Sequence, residues 1–171
     1  MGKTVILQSS ARSGGNTSLA AETLGQLVNA DVIDLHHYTI GQFDYDFKNS
    51  EDDFGPLIER IITQYDIIIF ATPVYWYSMS GHLKVFLDRI SDLLYNNKPL
   101  GKQLNGMKMG LISSSSRDSI DPAFGLPFTE TANYLKMGYL GHVHTWVDSN
   151  KNLTKKVLKN LNQFAKKIQD C

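Results

Sequence analysis

A polar, glycine-containing turn lies between an apolar run and a helical pattern near the start of this 171-residue chain. The apolar run covers residues 4–7, and apolar residues recur at helical spacing from residue 18 onward. Residues 8–17 between them carry hydroxyls, two glycines, two amides and an arginine. A turn of this kind points backbone N–H groups at one place, at the positive end of the helix dipole. It predicts either a phosphate-binding loop or an ordinary polar connection capped by Asn16 or Thr17.

The side chains of this turn are suited to holding an anion. Serine, threonine and asparagine can donate hydrogen bonds, arginine presents a fork that matches phosphate, and paired glycines allow N–H groups to converge. The candidate phosphate-binding residues are Ser10, Arg12, Ser13, Gly15, Asn16 and Thr17.

Several phosphate chemistries are excluded by the residues of the turn. A triphosphate loop requires Lys followed by Ser or Thr after its last glycine, but Asn16 and Thr17 stand there. A dinucleotide loop requires three spaced glycines, and the turn has only two. A cysteine phosphatase requires Cys in the loop, whereas the single Cys is Cys171. A phospho-acceptor domain requires acidic residues at the end of its first strand, and this chain has none there. Non-covalent binding of a terminal monophosphate remains, and flavin mononucleotide (FMN) carries one.

Strand and helix patterns alternate along the whole chain. Strands are predicted at 3–8, 31–36, 66–72, 107–113 and 140–147, and helices at 17–29, 52–64, 81–95, 121–137 and 152–169. This alternation predicts a single α/β domain over residues 1–171, with a doubly wound, five-stranded parallel sheet in the order 2-1-3-4-5 and helices on both faces. Ligands of such sheets bind at the carboxyl ends of the strands, where the strand order reverses.

The loop after the third strand is rich in aromatic residues. Tyr75, Trp76 and Tyr77 are consecutive, and such rings bury against a planar cofactor, a partner subunit or the protein's own core. Backbone N–H groups of residues 76–78 could stabilise charge on a reduced ring. The candidate ring-binding residues are Pro73, Val74, Tyr75, Trp76, Tyr77 and Ser78.

The loop after the fourth strand should reach the same place. Ser114 and Ser115 are candidate cofactor-binding residues there, with a flexible polar loop as the alternative. The five histidines lack the spacing of a metal site and are expected to be surface or hydrogen-bonded residues. Lys84, Asp88 and Arg89 are expected to form an ion network on a helix surface or an interface patch.

Composition limits the partners and the compartment. The formal net charge is zero, which argues against nucleic-acid binding. Apolar runs are far shorter than the roughly 20 residues of a membrane span, so no membrane partner is expected. One cysteine excludes a disulfide framework, and no signal peptide is visible, so a cytoplasmic location is expected.

Two segments resemble the flavodoxin-like NAD(P)H-dependent FMN reductase family. Residues 10–17 are similar to the family's S-P-R-x-x-G-N-T turn, and residues 72–89 to its P-V-Y-W…S-G…K…D-R segment. The resemblance implies a flavodoxin-like fold, FMN as cofactor and NAD(P)H as co-substrate. It assigns the FMN phosphate to Ser10, Arg12, Asn16 and Thr17, and the ring to Pro73, Tyr75, Trp76, Tyr77 and Ser78. The family's iron–sulfur branch carries a cysteine cluster after the second strand. Residues 43–47 stand there in this chain and include no cysteine, so no such cluster can form.

The resemblance also implies an activity. Hydride would pass from NAD(P)H through FMN to a small acceptor, such as a quinone, nitro or azo compound or free flavin, in a homodimer or larger homo-oligomer. No catalytic acid or base is assigned, because solvent can supply protons to an exposed flavin. The alternatives are a flavodoxin-type electron carrier, whose usual acidity this neutral chain lacks, and a non-catalytic flavin-binding module.

Overall fold

The computed structural model describes residues 2–171 as a five-stranded parallel sheet with the order β2-β1-β3-β4-β5. The strands are β1 (Thr4–Gln8), β2 (Asp31–Asp34), β3 (Ile67–Pro73), β4 (Lys108–Ser114) and β5 (Gly138–Thr145). All residues of β1 and β3 are buried, as an apolar run without polar alternation indicates for strands covered on both faces. The predicted fold class and strand order are confirmed.

Within residues 2–171, six α-helices cover the two faces of the sheet. They are α1 (Asn16–Val28), α2 (Phe54–Gln64), α3 (Gly81–Tyr95), α4 (Lys98–Gly101), α5 (Leu126–Leu135) and α6 (Lys155–Gln169). The apolar sides of α1 and α6 form one core with the sheet, and those of α2, α3 and α5 form the other.

Several predicted boundaries differ from the structure by one or two residues, as at β5 and the start of α2, and three elements differ for identifiable local reasons. Strand β2 ends at Asp34, because its carboxylate accepts a hydrogen bond from His36 N (2.9 Å) and the chain turns into a 3-10 helix at Leu35–His37. Helix α6 begins only after Thr154, whose hydroxyl accepts from Val157 N. The predicted helix at 121–137 is a 3-10 turn, Pro122–Gly125, followed by α5. The short helix α4 had no sequence-based counterpart.

Arg89 corrects the expectation of a surface ion network. Its side chain is 2% exposed and donates to the carboxylates of Asp52 and Asp92 and to the carbonyl oxygen of Gly41 (3.1 Å). Its guanidinium also lies 4.8 Å from the ring centre of Phe54. Arg89 thus fastens the long connection between β2 and α2 to α3. Only the Lys84–Asp88 pair (2.6 Å) lies on the exposed surface as expected.

Residues 2–171 contain neither a helix suited to span a membrane nor a cluster of side chains suited to hold a metal ion. Within residues 2–171, no helix has the length and apolar character needed to cross a membrane. Nor does any group of three or more His, Cys, Asp or Glu side chains in that range have an arrangement that could hold a metal ion.

Candidate functional site

Three loops meet at the carboxyl edge of the sheet. They follow β1, β3 and β4, which are neighbours in the sheet, with the reversal of strand order between β1 and β3. This is the place where doubly wound sheets bind their ligands. The sheet therefore brings together the three segments that the sequence singled out.

The loop after β1 leads directly into the N-terminus of α1. Gly15 is the N-cap and supplies no side-chain acceptor, whereas α3 and α6 are capped by Ser80 and Thr154. Gly14 has φ of 75°, a left-handed conformation that favours glycine. Ser18 Oγ, in the first turn of α1, accepts a hydrogen bond from Gly14 N (3.0 Å), which holds the turn to the helix. The first N–H groups of α1 thus lack a side-chain cap from this loop, as an anion site requires.

Arg12 and Ser13 take different positions in this loop. Arg12 is exposed, and a Cβ atom built on Gly15 would come within 3.3 Å of Arg12 Nε, so the guanidinium stem lies across Gly15. The Ser13 hydroxyl instead donates to Asp34. Burial alone would raise the pKa of Asp34, but hydrogen bonds from Ser13, His36 and Gln8 hold it below its usual value. Ser13 therefore faces the end of β2.

The aromatic loop after β3 forms a tight turn. Tyr75 N donates to Ser78 O (2.9 Å), and Ser78 N donates to Tyr75 O (3.0 Å). Trp76 and Tyr77, between them, have φ of 49° and 64°, as in a type I′ turn. Such turns favour Asn and Gly, so two aromatic residues here carry backbone strain. The N–H of Ser78 is used within the turn, which corrects the expectation that it could serve a ring.

The two aromatic side chains of the turn project outward. Trp76 is 93% exposed and Tyr77 is 80% exposed. Rings of this size seldom remain so exposed without something to contact. The base of the loop is fixed, because Thr72 Oγ1 accepts from Ser80 N (3.0 Å) in the buried interior.

A cavity of about 640 Å³ lies between the loops after β3 and β4, and we call it the loop cavity. Its walls combine apolar and aromatic groups with serine hydroxyls and one guanidinium, as is typical of small-molecule sites. The lining residues are Val74, Trp76, Tyr77, Ser115, Ser116, Arg117, Ser119, Ile120, Asp121 and Phe124.

Only some of the residues predicted from the sequence line the loop cavity. Val74, Trp76, Tyr77 and Ser115 line it. Pro73 is buried at the end of β3. Ser114 is the last residue of β4, is buried, and shares a hydrogen bond with Thr145 Oγ1 (2.6 Å). Ser10, Arg12, Asn16 and Thr17 lie in the loop after β1 and the first turn of α1.

A polar cluster behind the loop cavity was missed by the sequence reasoning. Ser113 Oγ lies 2.7 Å from His142 Nε2 and 2.8 Å from His144 Nδ1. Burial, and then the neighbouring His144, lowers the pKa of His142 to about 4. The signal was present in the alternation of two histidines on one predicted strand, since residues i and i+2 share a face. We call these three residues the Ser113 cluster.

Known proteins are similar to this chain in sequence and in fold. A family model described as NADPH-dependent FMN reductase matches residues 3–125. The YwqN protein of Bacillus subtilis (strain 168), named as an NAD(P)H-dependent FMN-containing oxidoreductase, is 35% identical over 152 residues, covering 82% of this chain and 83% of its own.

Solved structures show the same fold. The Trp repressor binding protein from Bacillus subtilis superposes with a TM-score of 0.73 at 28% identity, covering 95% of this chain and 97% of its own. General stress protein 14 from Treponema denticola, solved in complex with FMN, has a TM-score of 0.60 at 17% identity, covering 98% and 96%. With the family model matching well over half of its length, the chain belongs to the NADPH-dependent FMN reductase family, an FMN-binding family of oxidoreductases with a flavodoxin-like fold.

Proposed function

We propose that this protein is an enzyme that reduces a small acceptor with NAD(P)H, with FMN bound at the carboxyl edge of the sheet. The acceptor class is a quinone, a nitro or azo compound, or free flavin. The observation that carries the proposal is the loop cavity, which opens between the aromatic turn and the loop after β4, at the edge of the sheet where α1 also begins. Bound FMN supplies the hydride chemistry, and the protein supplies binding, orientation and electrostatics.

The residues present fit the phosphate end of FMN. The N-terminus of α1 has no side-chain cap, and neither Gly14 nor Gly15 adds a side chain of its own to the approach. Arg12 is the cation of this loop and lies beside Gly15. We assign the phosphate to Arg12, Ser10, Asn16, Thr17 and the backbone of Gly15, with Ser13 holding the loop through Asp34.

The residues around the loop cavity fit a planar ring. Trp76 and Tyr77 offer large apolar faces to the loop cavity. Val74 and Phe124 add further apolar lining. Ser115 and Arg117 provide polar contacts from the opposite loop. The N–H groups of Trp76 and Tyr77 remain for the polar edge of a ring, because the turn itself uses those of Tyr75 and Ser78. Pro73 and Ser114 support these loops from within the sheet.

Exposed apolar surface supports a homodimer as the proposed assembly. Tyr134 is 72% exposed and Leu126 is 57% exposed, both on α5. A groove of about 430 Å³ between α3 and α5 is lined by Leu87, Ile90 and Leu94 together with Tyr134. Symmetric dimers are the commonest assembly and use one such patch on both subunits. Sedimentation of the FMN-loaded protein at micromolar concentration tests this proposal, and a purely monomeric species would contradict it.

Anaerobic spectroscopy tests the activity. The purified, FMN-reconstituted protein is expected to lose its yellow absorbance when NADPH or NADH is added, and to regain it when a quinone such as menadione follows. Mass spectrometry of the released cofactor should give FMN rather than FAD. A protein that holds stoichiometric FMN without bleaching would be an electron carrier or a non-catalytic module.

A further inference from the structure

When both imidazoles are neutral, the Ser113 cluster has one arrangement of hydrogens that satisfies all its contacts. His144 Nε2 lies 2.9 Å from the carbonyl oxygen of Arg117, which can only accept, so Nε2 carries a hydrogen. In a neutral imidazole Nδ1 is then bare and accepts the Ser113 hydroxyl hydrogen. The Ser113 oxygen in turn accepts from His142 Nε2–H. The hydrogen bonds therefore run in one direction, from His142 through Ser113 to His144.

The cluster lies between two openings of the protein. A groove of about 370 Å³ runs beside β5, and we call it the β5 groove. His142 and His144 line the β5 groove, while Ser113 is fully buried. On the other side, His144 Nε2 is 3.3 Å from Ser115 Oγ, and Ser115 lines the loop cavity. Hydrogen-bonding groups are thus continuous from the β5 groove to the loop cavity.

The geometry points to a proton relay: Ser113, His142 and His144 carry to the loop cavity the proton that each two-electron reduction consumes. This inference rests on the proposed function. NAD(P)H supplies a hydride, and an acceptor A becomes AH₂ only if one further proton enters, so the sum is A + NAD(P)H + H⁺ giving AH₂ + NAD(P)⁺. The loop after β1 and the aromatic turn contain no His, Asp or Glu that could supply that proton.

The proton path can be written bond by bond. A solvent proton adds to Nδ1 of the half-buried His142, and the Nε2 proton of His142 moves to Ser113 Oγ. The former Ser113 proton moves to His144 Nδ1, and the Nε2 proton of His144 leaves through Ser115 Oγ. The Ser115 hydroxyl, which donates to the carbonyl oxygen of Arg117 (3.0 Å), turns from that oxygen and gives its own proton to the acceptor. Both histidines are partly exposed, so exchange with water restores the starting tautomers.

Burial disfavours a resting positive charge on His142. The low pKa of His142 keeps that imidazole neutral near pH 7, so a proton that enters there moves on. Asp118, Lys156 and Lys167 line the β5 groove with the two histidines, and Arg117 contacts His144 through its carbonyl group. Tyr139, whose buried hydroxyl has no hydrogen-bond partner within residues 2–171, also belongs to β5.

Nitrogen NMR of the imidazoles tests the relay without a turnover measurement. In the wild-type protein at neutral pH, both His142 and His144 should be Nε2–H tautomers. Ser113→Ala should shift the nitrogen resonance of His144 Nδ1, because it removes the hydroxyl that donates to that atom. A neutral His144 accompanied by an Nδ1–H tautomer of His142 would overturn the relay.

Kinetics of three variants test whether protons pass through the cluster. His144→Gln keeps an N–H for the Arg117 carbonyl but cannot ionise, and Ser113→Ala breaks the chain. Both should lower the rate of acceptor reduction per bound FMN by about 10²-fold or more, the low end of what a positioned proton donor contributes. Added imidazole should restore part of the rate in His144→Gln. His37→Gln, in the 3-10 helix after β2, is the matched control and should behave as wild type.

The outcomes separate this inference from the proposed function. If both cluster variants keep the wild-type rate, pH profile and solvent isotope effect while NAD(P)H is still oxidised, the relay is wrong and the proposed function stands. If wild-type protein oxidises no NAD(P)H, the proposed function fails, and the relay fails with it. Variants that do not fold leave the wild-type tautomers as the deciding measurement.

Discussion

Ser80 Oγ lies 2.9 Å from Ser9 Oγ, and both side chains are buried. Ser9 follows β1, and Ser80 is the N-cap of α3, so this pair joins the loop after β1 to the end of the aromatic loop. Ser80 Oγ also lies 3.2 Å from the Ser9 carbonyl oxygen and accepts from Leu83 N. The two halves of the candidate site are therefore connected through one hydroxyl group.

Ser80→Ala should lower both stability and FMN affinity. The free energy of unfolding should fall by about 1–3 kcal/mol, because α3 loses its cap and the buried Ser9 hydroxyl loses a partner. Thr154→Ala is the matched control, since it removes the cap of α6 far from the loops. It should cost about 1 kcal/mol without changing FMN affinity. Urea unfolding and fluorescence titration with FMN measure the two effects, and equal FMN affinities in both variants would refute the connection.

Arg12→Ala should weaken FMN binding by about 1.5–3 kcal/mol, the range for a hydrogen bond to a charged group. The reason is the loss of a charge-assisted contact with the phosphate at the α1 N-terminus. Arg60→Ala is the control, because Arg60 lies on α2 and donates to Tyr38 Oη. Fluorescence titration checks both variants. An unchanged dissociation constant for Arg12→Ala would show that Arg12 does not contact the phosphate.

Local patterns were sufficient to predict the sheet and its ligand edge. Apolar runs identified β1 and β3, and turn residues identified the loops after them, because these properties depend on neighbours in sequence. The burial of Arg89 could not be predicted, since its partners Asp52 and Gly41 lie 37 and 48 residues away. The Ser113 cluster depends on the pairing of Ser113 with His144 across β4 and β5, beyond a register shift at Met109/Gly110. Such features depend on contacts between residues far apart in the sequence, so they cannot be inferred from local patterns or composition.

Arg89→Met should destabilise the fold by about 3–5 kcal/mol. The change leaves the partly buried carboxylates of Asp52 and Asp92 without their cation, which costs more than the pair itself contributes. Lys84→Met is the matched control on the same helix, because the Lys84–Asp88 pair is exposed and should contribute only about 0.3–0.5 kcal/mol. Urea unfolding of both variants is the measurement. Similar losses of unfolding free energy in the two variants would mean that Arg89 does not hold the β2–α2 connection to α3.

The double change Trp76→Asn and Tyr77→Gly should stabilise the cofactor-free protein and weaken FMN binding. Asn-Gly suits a type I′ turn, and relief of two left-handed aromatic residues is expected to add about 1–2 kcal/mol to the free energy of unfolding. The loss of two aromatic walls of the loop cavity lowers FMN affinity. Tyr45→Asn, at an exposed aromatic residue outside the loop cavity, is the control for removing surface rings. A double variant that gains stability and keeps full FMN affinity would show that the aromatic rings do not contact the cofactor.

The stability of the protein should fall as the pH drops from about 6.5 toward 4. In the unfolded chain His142 takes up a proton near pH 6.5, whereas the folded state holds its pKa at about 4, so acid favours unfolding in this window. The contribution reaches up to about 3 kcal/mol near pH 4 and is absent above pH 7. His142→Gln, which keeps an N–H but does not titrate, should flatten the dependence, while His37→Gln on the exposed 3-10 helix should leave it unchanged. Urea unfolding at several pH values measures the slopes, and a His142→Gln slope equal to that of wild type would mean that another group resists protonation in the folded protein.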